Sequence, residues 1–385
     1  MKKCTRLIDQ LLSSILLSDK DLFNAQKYLF LRLKVDILMK HFKTIATIAA
    51  FLIAIGFYYG WNFYRLNYSP NVPSSLSNEY LIIPTGSSYD SLVIILKNGG
   101  YIVDESRFRK CAEQQEFKNV RPGRYKITPG WGSKALVRHL KIGEQAPVKV
   151  VLNYEREISD IAGKVARSLE SDSTQIVSTF LNKAFLESKG LNTDNLMCVF
   201  LPNTYEMFWN TSPEKFVERM IKESEAFWSK NNRRDKAKKL LDGKGLTEKE
   251  VYILASIVEK ESQNKEERPR IAGTYLNRLK INMKLQADPT CVFASKDFLT
   301  RRVTSRHLNF NSPYNTYIHS GLPPGPISIA SPSSIDAVLE PEPHKYLYFC
   351  AKPDNSGTHA FAENLSGHNV NVNKYIAWIN ERGVR

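Results

Sequence analysis

Two glutamates near the end of an apolar segment are the strongest candidates for acid–base chemistry in this sequence. Glu259 and Glu261 stand two residues apart at the end of residues 245–262, in which apolar side chains recur with helical spacing. Thr247 and Glu250 form the pattern of a capping box, so the segment predicts a helix that begins just after Thr247. A helix turns about 100° per residue, so the two carboxylates are expected to point about 160° apart.

The same helical count assigns the two carboxylates to different environments. Glu261 falls on the apolar face of the predicted helix, and Glu259 falls well outside it, toward solvent. The apolar face is formed by Val251, Leu254, Ile257 and Val258. A carboxyl group that loses its hydration on such a face has a raised pKa and can act as a general acid near neutral pH. A structural role stays open, in which Glu261 caps a backbone group or pairs with an arginine, the candidates being Arg268, Arg270 and Arg278.

Two loop segments after this helix carry side chains that suit a carbohydrate. Residues 285–290 read LQADPT and residues 313–317 read PYNTY. Amides, carboxylates and hydroxyls can bond sugar hydroxyl and acetamido groups, and aromatic rings can cover the apolar faces of a sugar. We select four candidates for orienting a substrate, which are Gln286, Asp288, Tyr314 and Asn315. Turn formation favours the same residue types, so a purely structural interpretation of these loops stays open.

A single apolar segment near the N-terminus predicts a membrane span. Residues 44–64 contain no charged side chain and, as a helix, cover the ~30 Å hydrocarbon core of a bilayer. Residues 1–43 hold nine Lys or Arg and four Asp or Glu, so the positive-inside rule predicts a cytoplasmic N-terminus and an external remainder. Met39 begins a short basic stretch directly before the span, so Met1 and Met39 both fit as the start. A cleaved signal peptide and a buried helix of a soluble domain are the alternatives.

Beyond the span the sequence predicts an α+β fold in two parts. Residues 65–76 contain prolines and serines and read as a linker. Residues 77–147 alternate short strand-like and helical stretches and predict a small module, whose expected task is binding because it has no acid–base pair. Residues 148–385 predict a larger, mainly helical domain with a loop-rich part after residue 282, where binding and chemistry are expected.

Charge and cysteine content narrow the possible functions. The net charge of +15 suits a solvated basic surface near a membrane, and also an anionic membrane surface or an acidic polymer as partner. No zinc-finger, basic-zipper or RNP pattern accompanies it, so nucleic acid is not expected as a partner. None of the five cysteines stands at metal-ligand spacing with another cysteine or a histidine. We therefore expect neither a metal site nor an organic cofactor.

Six ordered motifs resemble the YceG-like family of endolytic murein transglycosylases. They are ASIVEKE at 255–261, NRL at 277–279, LQADPT at 285–290, YNTY at 314–317, GLPPGPI at 321–327 and His359-x-Phe361. The resemblance implies that Glu261 is the catalytic glutamate, that residues 77–147 are a LysM-like module and that residues 148–385 are the transglycosylase domain. Two departures occur: Ala287 stands where the family commonly has a hydroxyl residue, and Asn203 stands where it has an aspartate.

The resemblance also implies a reaction and a setting. Such an enzyme cleaves the β-1,4 bond between N-acetylmuramic acid and N-acetylglucosamine and leaves 1,6-anhydromuramyl ends, with Glu261 as acid and then as base. Its substrate is peptidoglycan outside the cytoplasmic membrane, where it trims or terminates nascent glycan strands, and its expected partners are glycan-polymerising synthases. Two alternatives stay open. One is a non-catalytic wall-binding or division scaffold, and the other is a muramidase that uses water, with Asp288 as the second carboxylate.

Overall fold

The first described element is a long apolar helix. The computed structural model describes residues 19–300 and 302–382 of the chain. Helix α1, Asp19–Asn67, is exposed along nearly all of its length and includes the predicted span at residues 44–64. Among the described residues it is the one helix whose length and composition suit a membrane crossing, which confirms the prediction of a single candidate span. Residues 1–18 of the predicted N-terminal segment lie outside the described residues.

The smaller of two compact units contains α1 and three short helices. Among the described residues it comprises 19–79, 89–120 and 127–142. Its short helices are α2 (Tyr89–Asn98), α3 (Glu105–Gln114) and α4 (Ser133–Ile142). The buried amide of Asn71 accepts a hydrogen bond from the backbone N–H of Asp104 at 2.8 Å and donates one to Ser133 at 3.0 Å. This amide fixes the chain after α1 against α3 and α4.

Two short strands of the predicted small module belong to the larger unit. Strand β1, Tyr80–Ile83, pairs antiparallel with β2, Gly123–Lys126, so that Tyr80 lies opposite Lys126. The larger unit comprises residues 80–88, 121–126 and those from 143 onward. Residues 77–147, which the sequence analysis treats as one module, thus belong partly to the smaller unit and partly to the larger one. The predicted boundary at residue 147 and the LysM-like character of this segment stay predictions.

The first hydrophobic core of the larger unit forms around a second antiparallel strand pair, β3 (Val148–Leu152) with β4 (Asn203–Met207). Four helices contribute to this core, namely α5 (Ile158–Ala166), α6 (Ser173–Phe180), α7 (Lys183–Ser188) and α8 (Pro213–Trp228). Phe180, Phe200 and Phe216 are fully buried and pack ring to ring within it. The core therefore holds β3 and the start of α5 in a fixed position beside the site described below.

The second core of the larger unit has one helix at its centre. This helix, α10, spans Glu248–Glu261 and starts as predicted, with Thr247 as its cap and Glu250 closing the capping box. The elements that precede or follow it in this part of the chain are α9 (Arg233–Lys239), α11 (Arg268–Lys280), α12 (Asp288–Ser295), α13 (Ser305–Leu308) and α14 (Pro332–Leu339). Every residue from Val251 to Glu259 is buried, so α10 is enclosed on all sides.

The described part of the chain ends in a third strand pair and a helix. Strands β5, Tyr348–Ala351, and β6, His359–Ala362, are antiparallel, and α15, Leu365–Glu381, follows them. The backbone N–H of His359 donates to Glu267 at 2.7 Å, and this contact ties β6 to the start of α11. The described residues thus form the mixed, mainly helical α+β fold that the sequence predicts.

Candidate active site

The carboxyl group at the end of α10 has a polar partner and a raised pKa. Glu261 is the last residue of α10, and its half-buried side chain lines a cavity. Its Oε1 accepts a hydrogen bond from the hydroxyl of Tyr275, a buried residue of α11, at 2.5 Å. Burial raises the pKa of Glu261 to about 7; the negative charge of Asp288 adds to the rise, while Tyr275 and Arg278 oppose it. A substantial share of Glu261 is therefore protonated at neutral pH.

The cavity beside Glu261 has a volume of about 280 Å³ and combines charged and aromatic walls. Its other charged lining residues are Arg156, Lys260 and Asp288. The remaining lining residues are Pro289, Val292, Phe293, Phe298, Thr300 and Ile327. One opening thus brings together a carboxyl of raised pKa, a second carboxylate, two cations and aromatic surface.

Asp288 occupies the wall of the same cavity, as the first residue of α12. It is exposed, and its Oδ1 accepts a hydrogen bond from the hydroxyl of Tyr317 at 2.6 Å. Burial and this hydrogen bond raise the pKa of Tyr317 well above its ordinary value, so the phenol keeps its proton and acts as a donor. The structure therefore brings Asp288, one of the four predicted substrate-binding residues, next to Glu261.

Gln286 and Tyr314 lie near the cavity but are not among the residues that line it. Gln286 is exposed, has a φ of 48° and stands within 3.5 Å of an Arg278 nitrogen through its Oε1. The ring of Tyr314 packs on Phe293, with 4.9 Å between the ring centroids, and belongs to the second core. Phe293 lines the cavity, so Tyr314 packs against a residue of its wall. Direct substrate contacts by Gln286 and Tyr314 stay predictions.

The side chain of Asn315 is fully buried and its polar atoms are occupied within the protein. Its Nδ2 donates to three backbone carbonyls, those of His307, Leu308 and Phe310, at 2.9 to 3.2 Å. Its Oδ1 accepts from the backbone N–H of Tyr317 at 3.0 Å and from Cys291 at 3.3 Å. This amide positions the loop that carries Tyr317, and a direct contact between Asn315 and a substrate stays a prediction.

The predicted solvent exposure of Glu259 is wrong. Only 6% of its surface is exposed, and its two oxygens accept from both terminal nitrogens of Arg268 at 2.9 and 3.1 Å. Ser331 and Ser334 of the α14 N-terminus donate to the same carboxylate. Burial alone would raise the pKa of Glu259, but these two serines and the Arg268 charge together lower it. The helical count failed because it assumes one exposed face, whereas α11 and α14 cover α10 on the side of Glu259.

The arginines that might have neutralised Glu261 have other partners. Arg268 pairs with Glu259, and Arg270 pairs with Glu342 at 2.9 Å. Arg278 donates to the backbone carbonyls of Leu285 at 2.7 Å and Leu347 at 2.6 Å, and thereby holds the loop before α12 against β5. Among the described residues Glu261 has no ion pair, so its carboxyl can change protonation state without breaking one.

Four residues of the site were not selected from the sequence. Tyr275 lies two residues before the NRL motif, and Tyr317 is the last residue of the YNTY motif. Both therefore lie in or next to a motif that the sequence analysis describes. Lys260 lies within the ASIVEKE motif and Arg156 lies outside every motif, and neither was selected because single cations are common in a chain of net charge +15. Among the described residues no group of three or more His, Cys, Asp or Glu is arranged to hold a metal ion.

The chain is similar to known proteins over most of its length. The YceG-like family matches residues 81–374. An endolytic murein transglycosylase of Bacillus subtilis (strain 168) is 31% identical over 319 residues, which cover 78% of this chain and 85% of the relative. A protein of the same description from Streptococcus pneumoniae (strain D39) is 25% identical over 359 residues, 84% of this chain and 63% of the relative. A crystal structure of a putative YceG-like protein from Listeria monocytogenes is 28% identical, covers 77% of this chain and 99% of its own, and has a TM-score of 0.49.

Proposed function

The chain belongs to the YceG-like family, and from that premise we propose that it is an endolytic murein transglycosylase. It cleaves the β-1,4 bond between N-acetylmuramic acid and N-acetylglucosamine inside glycan strands and leaves 1,6-anhydromuramyl ends. The observation that carries this proposal is the raised pKa of Glu261 together with its position at the cavity wall. A carboxyl with a pKa of about 7, hydrogen-bonded to Tyr275 at the wall of an open cavity, suits a group that must first donate and then accept a proton.

In the first step Glu261 acts as the acid. Its neutral carboxyl transfers the proton to the bridging oxygen, the bond between that oxygen and C1 of the muramyl residue breaks, and the N-acetylglucosamine part leaves with a hydroxyl. Positive charge then develops at C1 and the ring oxygen. The carboxylate of Asp288 in the same cavity stabilises this charge, and Tyr317 holds that carboxylate in place.

In the second step Glu261 acts as the base. Its carboxylate takes the proton of the C6 hydroxyl of the same muramyl residue, and O6 forms the new bond to C1. The product carries a 1,6-anhydro ring, Glu261 regains its proton, and no water is consumed. The Tyr275 hydroxyl stabilises the carboxylate that exists between the two steps, since it donates to Oε1.

A water-using muramidase is the second candidate, and the shared cavity of Glu261 and Asp288 is the observation that favours it. Two carboxylates facing one cavity are the arrangement of ordinary glycosidases, in which the second group activates water or acts as a nucleophile. The products separate the two reactions, because hydrolysis leaves a reducing muramic acid and transglycosylation leaves the anhydro form. A non-catalytic wall-binding scaffold yields neither.

The test is digestion of purified glycan strands by the detergent-solubilised full chain, followed by mass spectrometry of the ends. We expect new internal cuts that carry 1,6-anhydromuramic acid, and none in Glu261→Gln. Reducing ends would contradict the proposal and support a water-using muramidase. Strands that remain intact would contradict both enzymes and support a non-catalytic wall-binding scaffold.

The setting of the reaction is also part of the proposal. Helix α1 anchors the chain as a single-pass membrane protein, with the N-terminus in the cytoplasm and the cavity outside, where peptidoglycan lies. The LysM-like segment at residues 77–147 binds glycan, and glycan-polymerising synthases supply nascent strands. Deletion of residues 77–147 from the anchored chain should shift the cut position and keep the anhydro ends, while altered end chemistry would contradict a purely binding role.

A further inference from the structure

Two cations in the catalytic cavity have no anionic partner. Arg156 follows β3, Lys260 precedes Glu261 in α10, and both are half-buried in the cavity wall. Among the described residues neither side chain forms an ion pair or donates a hydrogen bond; the guanidinium of Arg156 lies over the ring of Phe298 at 4.8 Å. Burial and the charge of Arg156 lower the pKa of Lys260, so the two cations repel each other in a partly desolvated place.

The carboxylates around this pair are engaged elsewhere. Glu155 is buried and forms an ion pair with Lys164, and Glu259 pairs with Arg268. Asp288 lies in the same cavity, where it accepts the hydrogen bond of Tyr317 and forms no ion pair with either cation. The positive charge of Arg156 and Lys260 therefore faces the open cavity, and a bound anion would relieve their repulsion.

A second depression also has Arg156 in its wall. This depression has a volume of about 620 Å³, runs along α5 and shares Arg156 with the catalytic cavity. Its wall includes the exposed Tyr154 and Arg167 and the half-buried Gly163. A polymer that enters the catalytic cavity can thus extend along α5 directly beside Arg156.

We propose that Arg156 and Lys260 form a carboxylate-binding subsite, which holds the acidic substituent of the muramyl residue while the strand continues along α5. That the polymer is peptidoglycan follows from the proposed function, and the subsite rests on that function to this extent. N-acetylmuramic acid differs from N-acetylglucosamine by its lactyl group, which ends in a carboxylate or continues into a stem peptide that carries carboxylates. A subsite for this group places a muramyl residue, and not its neighbour, in a defined position beside Glu261, and so selects the bond to be cut.

The experiment compares three glycan substrates. The first keeps its stem peptides, the second has them removed by an amidase so that lactyl carboxylates remain, and the third has its carboxylates chemically converted to amides. Arg156→Gln and Lys260→Gln are measured beside Arg156→Lys, which keeps the charge, and beside Lys239→Gln, which removes an exposed lysine of α9 outside the cavity. The full chain in detergent is used throughout, and a thermal melt checks folding.

We expect Arg156→Gln to raise KM about tenfold on carboxylate-bearing strands, the loss typical of one charge-assisted hydrogen bond, with kcat less affected. On amidated strands Arg156→Gln and wild type should have the same KM, and Arg156→Lys should recover part of the loss. A loss on peptide-bearing strands alone assigns the stem peptide as the source of the carboxylate. A loss on amidase-treated strands alone assigns the lactyl group, whose carboxylate is free only there, and a loss on both kinds of strand means that the subsite accepts either carboxylate.

An equal loss on amidated strands, or no loss on any strand, would overturn the subsite. The same comparison in the Glu261→Gln background, with strand binding measured by co-sedimentation, requires no turnover. If the wild type cuts no strand, the proposed function fails, and this binding measurement still decides whether the two cations hold a carboxylate.

Discussion

The hydroxyl of Tyr275 lies 2.5 Å from Oε1 of Glu261, and this hydrogen bond joins α10 to α11 at the wall of the cavity. Burial and the charge of Glu261 raise the pKa of Tyr275 well above its ordinary value, so the phenol keeps its proton and can donate it to the carboxylate in a hydrogen bond. This hydrogen bond stabilises the carboxylate more than the neutral acid. Tyr275 therefore limits how far burial can raise the pKa of Glu261.

The first prediction concerns the pH profile of Tyr275→Phe. Loss of the donor destabilises the carboxylate, so the pKa of Glu261 should rise above its present value of about 7. Activity requires a protonated Glu261 at the start of the cycle, and kcat/KM therefore falls as pH rises through this pKa. We expect that fall to move to higher pH in Tyr275→Phe and to stay in place in Tyr375→Phe, a control on α15. An unchanged profile in Tyr275→Phe would contradict the role given to Tyr275.

The second prediction concerns the chemistry of Glu261→Gln. Glutamine keeps the shape of the side chain and its contact with Tyr275 but neither donates the proton to the bridging oxygen nor accepts one from the C6 hydroxyl. Loss of general acid–base catalysis costs about 10²–10⁴-fold in rate, and one residue serves both steps here, so we expect at least the upper value. The rate of anhydro-end formation is compared with that of Glu363→Gln, an exposed glutamate, which should match wild type. Near-normal product formation by Glu261→Gln would remove it as the catalytic acid.

The third prediction concerns the stability of Glu261→Gln as a function of pH. The folded-state pKa is raised from 4.5 to about 7, so between these values the folded chain binds more protons than the unfolded chain. Folding stability from this group is thus full below its unfolded pKa and falls as pH rises to the folded value. Relative to wild type, Glu261→Gln should melt at a higher temperature above about pH 7, and the difference should vanish near pH 4. A constant difference across this range would show that the carboxyl is not desolvated.

The fourth prediction concerns Glu259→Gln, and it reverses the expectation that follows from a solvent-facing side chain. The substitution leaves the buried guanidinium of Arg268 without a counter-charge. Removal of one partner of a buried pair costs about 3–5 kcal/mol of folding free energy. Glu342→Gln removes a carboxylate from the more exposed pair with Arg270, where the expected loss is at most about 1 kcal/mol. Thermal melts at pH 7 compare the two variants. Equal losses of stability would mean that burial does not make the Glu259–Arg268 pair more costly to break than the exposed pair.

The fifth prediction concerns topology. A reporter joined to the C-terminus should be active only if it is of a kind that functions outside the cytoplasm, because basic residues precede the uncharged part of α1. A chain that starts at Met39 should insert and cut glycan as the full chain does. Cytoplasmic activity of the reporter would overturn the external location of the cavity, and failure of the shorter chain would give residues 1–38 a required role.

The capping box and the motif spacing predicted much of the site because they depend on local sequence. Thr247 and Glu250 fix the start of α10, and residues counted from there lead to Glu261, whose raised pKa agrees with the prediction of a desolvated acid. Asp288 could be selected for a similar reason, because it lies in the LQADPT motif a short distance after α10 in the sequence. It is the first residue of α12.

Long-range packing explains what the sequence could not provide. Glu259 is enclosed by Arg268, nine residues further on, and by serines more than 70 residues away, and no helical count contains these partners. Arg156 reaches the cavity from a segment 105 residues before Glu261, where the first core fixes the end of β3. The amide of Asn315 shows the reverse case, in which a residue type suited to sugars is buried and binds backbone carbonyls.

The positions of Glu261 and Asp288 within their helices have a further consequence. Glu261 is the last residue of α10, and Asp288 is the first residue of α12. The aligned peptide dipoles of a helix leave a partial negative charge at its C-terminal end and a partial positive charge at its N-terminal end. The C-terminal end of α10 and the N-terminal end of α12 therefore bring opposite partial charges of the backbone to one cavity. The two walls of this cavity thus differ in backbone polarity before any substrate arrives.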